Sequence, residues 1–168
     1  ITTMIVMPNT TPVVDDAAIV DYILRRARDT AIVRVAPMAA LTKGLGGELM
    51  TEIGTLQDAG AVAVTDGNKA VANARLFRRA LAYAKDFDML VVQHAEEPTL
   101  ATGVMNASET AGRLGLAGIA SVSEVIMIER DLRLVESTGA RYHVAQVSCR
   151  MSVDVMRAAK ARGLPVTC

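Results

Sequence analysis

The sequence predicts an α/β fold in which helices cover a parallel β-sheet. Three helical patterns each end in a glycine, at Gly60, Gly139 or Gly163, and a short apolar strand follows within a few residues. Glycine adopts the left-handed conformation that closes a helix, so these positions are credible C-terminal caps. The strands are runs of Val, Ile and Ala, which is typical of parallel strands buried on both faces. Repeated βα units are therefore expected.

The elements follow one another in a regular order. Strands are expected at 1–7, 32–38, 61–65, 88–94, 142–145 and 164–166, and helices at 15–29, 48–59, 72–86, 123–138 and 152–162. Asp15 or Asp16 can cap the first helix. Because no linker or low-complexity stretch divides these units, residues 1–168 are predicted to form a single domain. Strand-like runs at both ends predict that this domain is incomplete.

The composition favours a protein that acts on a small molecule. The chain has 168 residues, of which 51% are hydrophobic and 21% charged, and its 18 basic and 18 acidic residues cancel. A balanced charge gives no global attraction for nucleic acid or an anionic membrane. No apolar run reaches the roughly 18 to 20 residues of a membrane span. Cys149 and Cys168 are too few for a disulfide framework, which predicts a reducing, cytoplasmic location.

Six parallel strands could form an open doubly wound sheet or most of an eight-stranded barrel. An open nucleotide-binding sheet would place a glycine-rich phosphate turn after the first strand, where this chain has Pro8, Asn9 and Pro12. The later segment 44–47 is rich in glycine but lacks the lysine of a phosphate-binding loop. A partial (β/α)8 TIM barrel is therefore favoured, since intact barrels have about 250 residues.

Several polar residues stand where apolar strands end. His94 closes the strand 88–94, and Asp66 follows the strand 61–65. The carboxyl ends of barrel strands carry the chemistry, and imidazole with carboxylate is a usual ligand set for zinc. A structural histidine and an Asx turn at Asp66-Gly67 are the alternatives. Asn9 can bind a ligand or form a turn. Side chains alternate along a strand, so His143 and Gln146 should point to opposite faces, which predicts that His143 faces the helices.

The motifs at these strand ends resemble those of one enzyme family. They are Met7-Pro8-Asn9-Thr10, Ala40-Leu41-Thr42-Lys43-Gly44-Leu45, Gln93-His94-Ala95-Glu96, Gly103-Val104-Met105-Asn106, Arg141-Tyr142-His143-Val144-Ala145 and the segment 159–167. Together, and in order along the chain, they resemble the class I bacterial dihydroorotases of the amidohydrolase superfamily. Hydantoinases and allantoinases are weaker matches.

The resemblance implies a (β/α)8 barrel of which this chain supplies about strands 2 to 7. It implies a cyclic amide hydrolase of pyrimidine biosynthesis that interconverts carbamoyl aspartate and dihydroorotate with one or two zinc ions. His94 would match the metal ligand after the fifth strand, and Asn9 the residue that binds the substrate carboxylate. Asp66 is a tentative ligand. Gln146 occupies the position of a histidine ligand, and Gly67 that of the usual acidic ligand.

Two functions follow from this resemblance. In the first, the chain is the central part of a dihydroorotase, and the isolated segment is expected to be inactive because the His-x-His pair and the catalytic aspartate of the family lie outside it. In the second, it belongs to a silent homologue that is a scaffold subunit for aspartate transcarbamoylase. Gln146 and Gly67 favour the second function, and His94 and Asn9 the first. A homo-oligomer is a further possible assembly.

Overall fold

The computed structural model describes residues 1–168 and contains two parallel sheets. The strands are β1 (Thr3–Val6), β2 (Arg34–Ala39), β3 (Ala63–Val64), β4 (Leu90–His94), β5 (Met105–Asn106), β6 (Gly118–Ile119), β7 (Tyr142–Ala145) and β8 (Val166–Thr167). The main sheet has the order β1-β2-β3-β4-β7-β8, and β5 pairs with β6 in a second, small sheet. Every strand pair is parallel. The predicted α/β class and the six main strands are confirmed.

Five of the six helices, all except α4, form one layer against the main sheet. They are α1 (Ala17–Thr30), α2 (Ile53–Asp58), α3 (Ala74–Asp86), α4 (Glu109–Leu114), α5 (Val122–Thr138) and α6 (Arg150–Ala161). Successive helices of the layer contact each other in the order α1, α2, α3, α5 and α6. Alternate strand residues, such as Val64, Val91 and Val144, are fully or almost fully buried in the core that these helices cover. No helix is long and apolar enough to cross a membrane.

The predicted helix ends are confirmed. The carboxylate of Asp16 accepts a hydrogen bond of 2.8 Å from the backbone N–H of Ala18 at the start of α1. Gly139 has a φ of +71° and ends α5, while Gly60 and Gly163, with φ of +105° and +79°, lie just beyond the ends of α2 and α6. Their left-handed backbone is the reason glycine stands there.

The second helix begins later than its apolar spacing predicts. Residues 48–52 are not helical, and Leu49 is 67% exposed. Instead, Met50 forms an antiparallel bridge with Thr42, and the Thr51 hydroxyl donates to the carbonyl of Ala40 at 2.7 Å. These bonds hold residues 48–52 against the loop after β2, so the helix starts only at Ile53.

The first strand lies at an edge of the sheet that these 168 residues form. β1 pairs only with β2, and its Met4 and Ile5 are 47% and 57% exposed. An edge strand is covered on fewer sides than a central one, so apolar composition alone does not bury it.

The sequence patterns also miss the unit β5-α4-β6 between β4 and α5. Its strands have only two residues each, too short for a periodicity to be detected. Gly118 allows the close approach of its segment to Ala107, since an added Cβ at Gly118 would lie 2.5 Å from the Ala107 Cα.

A buried polar cluster joins β4 to the helix layer. The side-chain amide of Gln93 donates to the carboxylate of Asp131, which is fully buried, and the Tyr142 hydroxyl donates to the same oxygen at 2.7 Å. Arg130 donates to the other oxygen at 2.6 Å, and Gln93 accepts the N–H of Val71 at 2.8 Å. Burial raises the pKa of the Asp131 carboxyl, and the Arg130 guanidinium opposes that shift. Gln93 is thereby held in the helix layer, so its neighbour His94 must lie on the opposite face of the sheet.

We expect Asp131→Ala to destabilise the protein by about 3 kcal/mol or more, because it leaves the Arg130 charge and two buried donors without their acceptor. Urea unfolding followed by circular dichroism measures this change. Asp154→Ala is the matched control, since Asp154 forms exposed ion pairs with Arg150 and Arg157. It should cost less than about 1 kcal/mol. Equal losses in the two variants would show that the buried cluster contributes no special stability.

Candidate active site

The four predicted site residues all lie beyond or at the carboxyl ends of strands of the main sheet. His94 is the last residue of β4, and Gln146 directly follows β7. Asp66 follows β3 by two residues, and Asn9 follows β1 by three. Because all these strands are parallel, their carboxyl ends share one edge, where α/β proteins bind ligands.

His94 makes a polar contact through each ring nitrogen. Its Nδ1 lies 2.5 Å from Oε1 of Gln146, and its Nε2 lies 3.4 Å from Oε2 of Glu96. The His94 side chain is 24% exposed, so it can be reached from solvent. Glu96 was not among the predicted site residues, although its position two residues beyond a strand end is the signal that would have identified it.

Gln146 reaches His94 because the chain turns sharply after β7. In the sheet His94 pairs with Ala145, and the next residue, Gln146, has a left-handed backbone with φ of +59°. This conformation interrupts the strand alternation and places the Gln146 side chain beside the His94 ring. The alternation of side chains along a regular strand does not predict this contact.

The prediction that His143 faces the helices is wrong. Val92 and His143 pair across β4 and β7, on the face opposite to Gln93 and Val144. The His143 Nδ1 instead lies 2.8 Å from the hydroxyl of Thr167 on β8, and partial burial lowers the pKa of the His143 imidazole. The prediction used Gln146 as the reference for the alternation of side chains along the strand. It fails because β7 ends at Ala145, so Gln146 lies outside the strand.

Asp66 binds the loop that follows β2. It is only 3% exposed, its Oδ1 accepts the backbone N–H of Thr42 at 2.8 Å, and its Oδ2 accepts the Thr42 hydroxyl. Burial raises the pKa of the Asp66 carboxyl, although the hydrogen bonds from Thr42 oppose the shift. The contact spans 24 residues, so it is not the local Asx turn that was the alternative. A role of Asp66 as a metal ligand stays a prediction.

Asn9 and Gly67 are neighbours at the same edge. Asn9 is exposed, whereas Gly67 is buried and has a φ of +72°. A Cβ added to Gly67 would lie 3.8 Å from the Cβ of Asn9, which is an ordinary van der Waals distance. The loops after β1 and β3 therefore meet here, and Asn9 borders the position that carries an acidic ligand in the resembled family.

A polar pocket of ≈ 360 Å³ opens beside His94. Its lining consists of Asn68, Lys69, Ala70, His94, Glu96, Pro98 and Ala101. Lys69 donates to the carbonyl of Leu45 at 3.2 Å, which holds it between the loops after β2 and β3. Imidazole, carboxylate, amide and ammonium groups thus surround a space that suits a small polar molecule.

These side chains do not by themselves form a metal site. No three His, Cys, Asp or Glu side chains of the chain form a group that could hold a metal ion. His94 and Glu96 place an imidazole beside a carboxylate, and both groups are common zinc ligands. A zinc site, however, needs three or four protein ligands. The donors present therefore fit zinc chemically but do not complete its coordination.

Glu124, at the start of α5, holds the loop that carries Gln146. Its carboxylate accepts the backbone N–H groups of Ser148 at 3.0 Å and Cys149 at 3.3 Å, and the Ser148 hydroxyl at 2.5 Å. Burial acts to raise the pKa of Glu124, but the hydrogen bonds from Ser148, Ser152 and Cys149 outweigh it and lower the pKa below its ordinary value of 4.5. The ionised carboxylate thus stabilises the start of α6.

The lowered pKa of Glu124 predicts a specific pH dependence of stability. The carboxylate stabilises the folded state fully above its unfolded pKa, and this contribution is lost as the pH falls through the lower folded pKa. Between about pH 5 and pH 3, wild type should therefore lose more unfolding free energy than Glu124→Gln. Urea unfolding at several pH values measures the difference. The control Glu129→Gln, at an exposed position of α5, should retain the wild-type dependence. A Glu124→Gln curve parallel to wild type would contradict the prediction.

Comparisons with known proteins identify similar sequences. A family model described as dihydro-orotase-like matches residues 1–152. The dihydroorotase of Syntrophobacter fumaroxidans is 51% identical over 162 residues, which cover 96% of this chain and 37% of that protein. The dihydroorotase of Desulfotalea psychrophila is 50% identical over 162 residues, which cover 96% of this chain and 38% of that protein. The chain thus spans less than two-fifths of the length of either relative.

Solved structures give the same fold. An L-hydantoinase from Arthrobacter aurescens has a TM-score of 0.77 at 22% identity, and the match covers 99% of this chain and 38% of that protein. A D-hydantoinase from a Thermus species has a TM-score of 0.65 at 20% identity and covers 98% of this chain and 38% of that protein. At these identities the likeness concerns the fold alone. It agrees with a partial (β/α)8 barrel, as the sequence predicts.

Proposed function

The chain belongs to the dihydro-orotase-like family, and from that premise we propose that the protein containing it interconverts carbamoyl aspartate and dihydroorotate. This reaction closes or hydrolyses a cyclic amide. The proposal is supported by a match along nearly the whole chain to proteins named dihydroorotase. The structural observation that carries it is His94, an accessible imidazole at the end of β4 with its Nε2 directed toward a carboxylate.

We assign the His94 imidazole as a metal ligand of this chain. No three side chains of these 168 residues form a group that could hold a metal, so in this proposal other parts of the protein supply at least some of the ligands. When bound, zinc supplies Lewis-acid activation of a carbonyl and of water. Asp66 is a weaker candidate, since it is only 3% exposed and both its oxygens already accept hydrogen bonds from Thr42.

Asn9 is assigned to substrate binding. Its exposed amide can donate to the substrate carboxylate at the edge of the sheet that also carries His94. Residues 1–168 form one incomplete barrel domain in this proposal. The segment alone should be inactive, because it holds only part of the metal site and leaves β1 as an unpaired edge.

The silent-scaffold alternative has no support among the relatives, since the proteins from Syntrophobacter fumaroxidans and Desulfotalea psychrophila are both named dihydroorotase. A small-molecule substrate is the partner that family membership favours, whereas a homo-oligomer or a contact with aspartate transcarbamoylase stays a prediction. Cys149 and Cys168 are both free thiols, which agrees with the reducing cytoplasm that we propose as the location.

His94→Asn should reduce zinc content and dihydroorotate formation in the full-length protein at least tenfold, because it removes the proposed ligand. Metal analysis and a carbamoyl aspartate cyclisation assay measure the two effects. His143→Asn is the matched control: His143 is the only other histidine of the chain and lies on the same sheet face, but farther from the strand ends. It should keep its zinc. Full activity in His94→Asn would rule out the assignment.

A further inference from the structure

We propose that the outer side of α3 binds an acidic surface of another protein through Arg75, Arg78 and Arg79, which together we call the basic face. The opposite side of α3 packs into the core through Leu76, Phe77, Ala80, Leu81 and Ala84. None of the three arginines lines the pocket beside His94, so binding at the basic face does not depend on the proposed reaction.

The three arginines lie together on the exposed side of α3. Residues three and four apart are neighbours on a helix surface, so Arg78 and Arg79 both lie next to Arg75. All three residues are exposed. The nearest other exposed residues along the chain are small, namely Ala72, Asn73, Ala74 and Ala82. A partner can therefore approach the helix closely, with its carboxylates beside the guanidinium groups.

The chain does not neutralise the basic face. Residues 67–85 include five basic residues and no Asp or Glu, although the charges of the whole chain cancel. None of the three arginines forms an ion pair, whereas Arg133 of α5 and Arg162, just beyond α6, both pair with Glu136. The guanidinium groups of the basic face therefore keep their donors free for the carboxylates of a partner.

Local stability does not explain an arginine at position 75. Arg75 is the second residue of α3, where the partial positive charge of the helix start disfavours a cation. Arg79 lies four residues later, and like charges at that spacing repel each other. A residue that opposes local stability in two ways is expected where it serves a function.

An acidic protein surface fits the basic face better than an extended polyanion does. Guanidinium binds carboxylate through two parallel hydrogen bonds, and arginine is enriched in protein interfaces. Asp86 is exposed near the end of α3, about 10 Å along the helix from Arg79. Its charge would repel a nucleic acid or an anionic membrane that extended past the three arginines. The short patch therefore favours a protein partner with a small group of carboxylates.

Binding is tested in the full-length protein by the fluorescence anisotropy of a labelled peptide of alternating Glu and Ala residues. Wild type should bind this peptide and not its counterpart with Gln in place of Glu. The triple variant with Arg75→Glu, Arg78→Glu and Arg79→Glu should bind the acidic peptide about tenfold more weakly or worse, because three attractive pairs become repulsive.

The matched control is the triple variant with Arg25→Glu, Arg26→Glu and Arg28→Glu on α1. These arginines are also exposed, so the net charge changes equally while the basic face stays intact. The control should bind the acidic peptide as wild type does. Equal weakening in both triple variants, or no binding by wild type, would overturn the inference. Binding of single-stranded DNA or phosphatidylserine vesicles at the basic face, without competition from the peptide, would overturn it as well.

The stability of Arg75→Glu tests whether the arginine is there for the fold. A carboxylate in the first turn suits the helix dipole and pairs with Arg79 four residues later, so the urea midpoint of unfolding should rise. Arg75→Gln removes only the repulsion and should raise the midpoint less. A lower midpoint in Arg75→Glu would show that Arg75 serves the fold, and it would overturn the inference.

Discussion

The hydrogen bond between Gln93 and the buried carboxylate of Asp131 determines which way the end of β4 points. Alternate residues of a strand face opposite sides, so fixing Gln93 in the helix layer places His94 on the other face. Tyr142 donates to the same carboxylate, which aligns β7 with β4. Because all polar groups of this cluster are paired, a rotation that exchanged the two faces of β4 would expose apolar residues and bury unpaired polar ones.

Carboxylates that need not touch the substrate organise the rest of this edge. Asp66 ties the loop after β3 to Thr42 in the loop after β2, and Glu124 fixes the loop after β7 through Ser148. Each of these loops carries or borders a proposed site residue. A carboxylate can accept several backbone N–H groups at once, which suits it to hold a loop whose amides have no strand or helix partner. The histidine and amides of the site are therefore supported by fixed surroundings.

Much of the fold could be predicted from the sequence, because apolar strands and glycine caps depend on local chemistry. The positions of His94 and Gln146 at strand ends were predicted for the same reason. Their mutual contact was not, since it depends on a left-handed backbone at a residue that is not glycine. The role of Asp131 was also missed, although a signal existed: it interrupts the apolar helix face formed by Ile128, Leu132 and Val135. A charge at such a position indicates a buried polar partner.

The central claim is that the His94 imidazole binds a metal at the end of β4, and crystals of the full-length protein test it most directly. Anomalous diffraction at the zinc edge should give a peak about 2.1 Å from a ring nitrogen of His94, the usual zinc–histidine distance. Zinc that occupies a site without His94 would contradict the account.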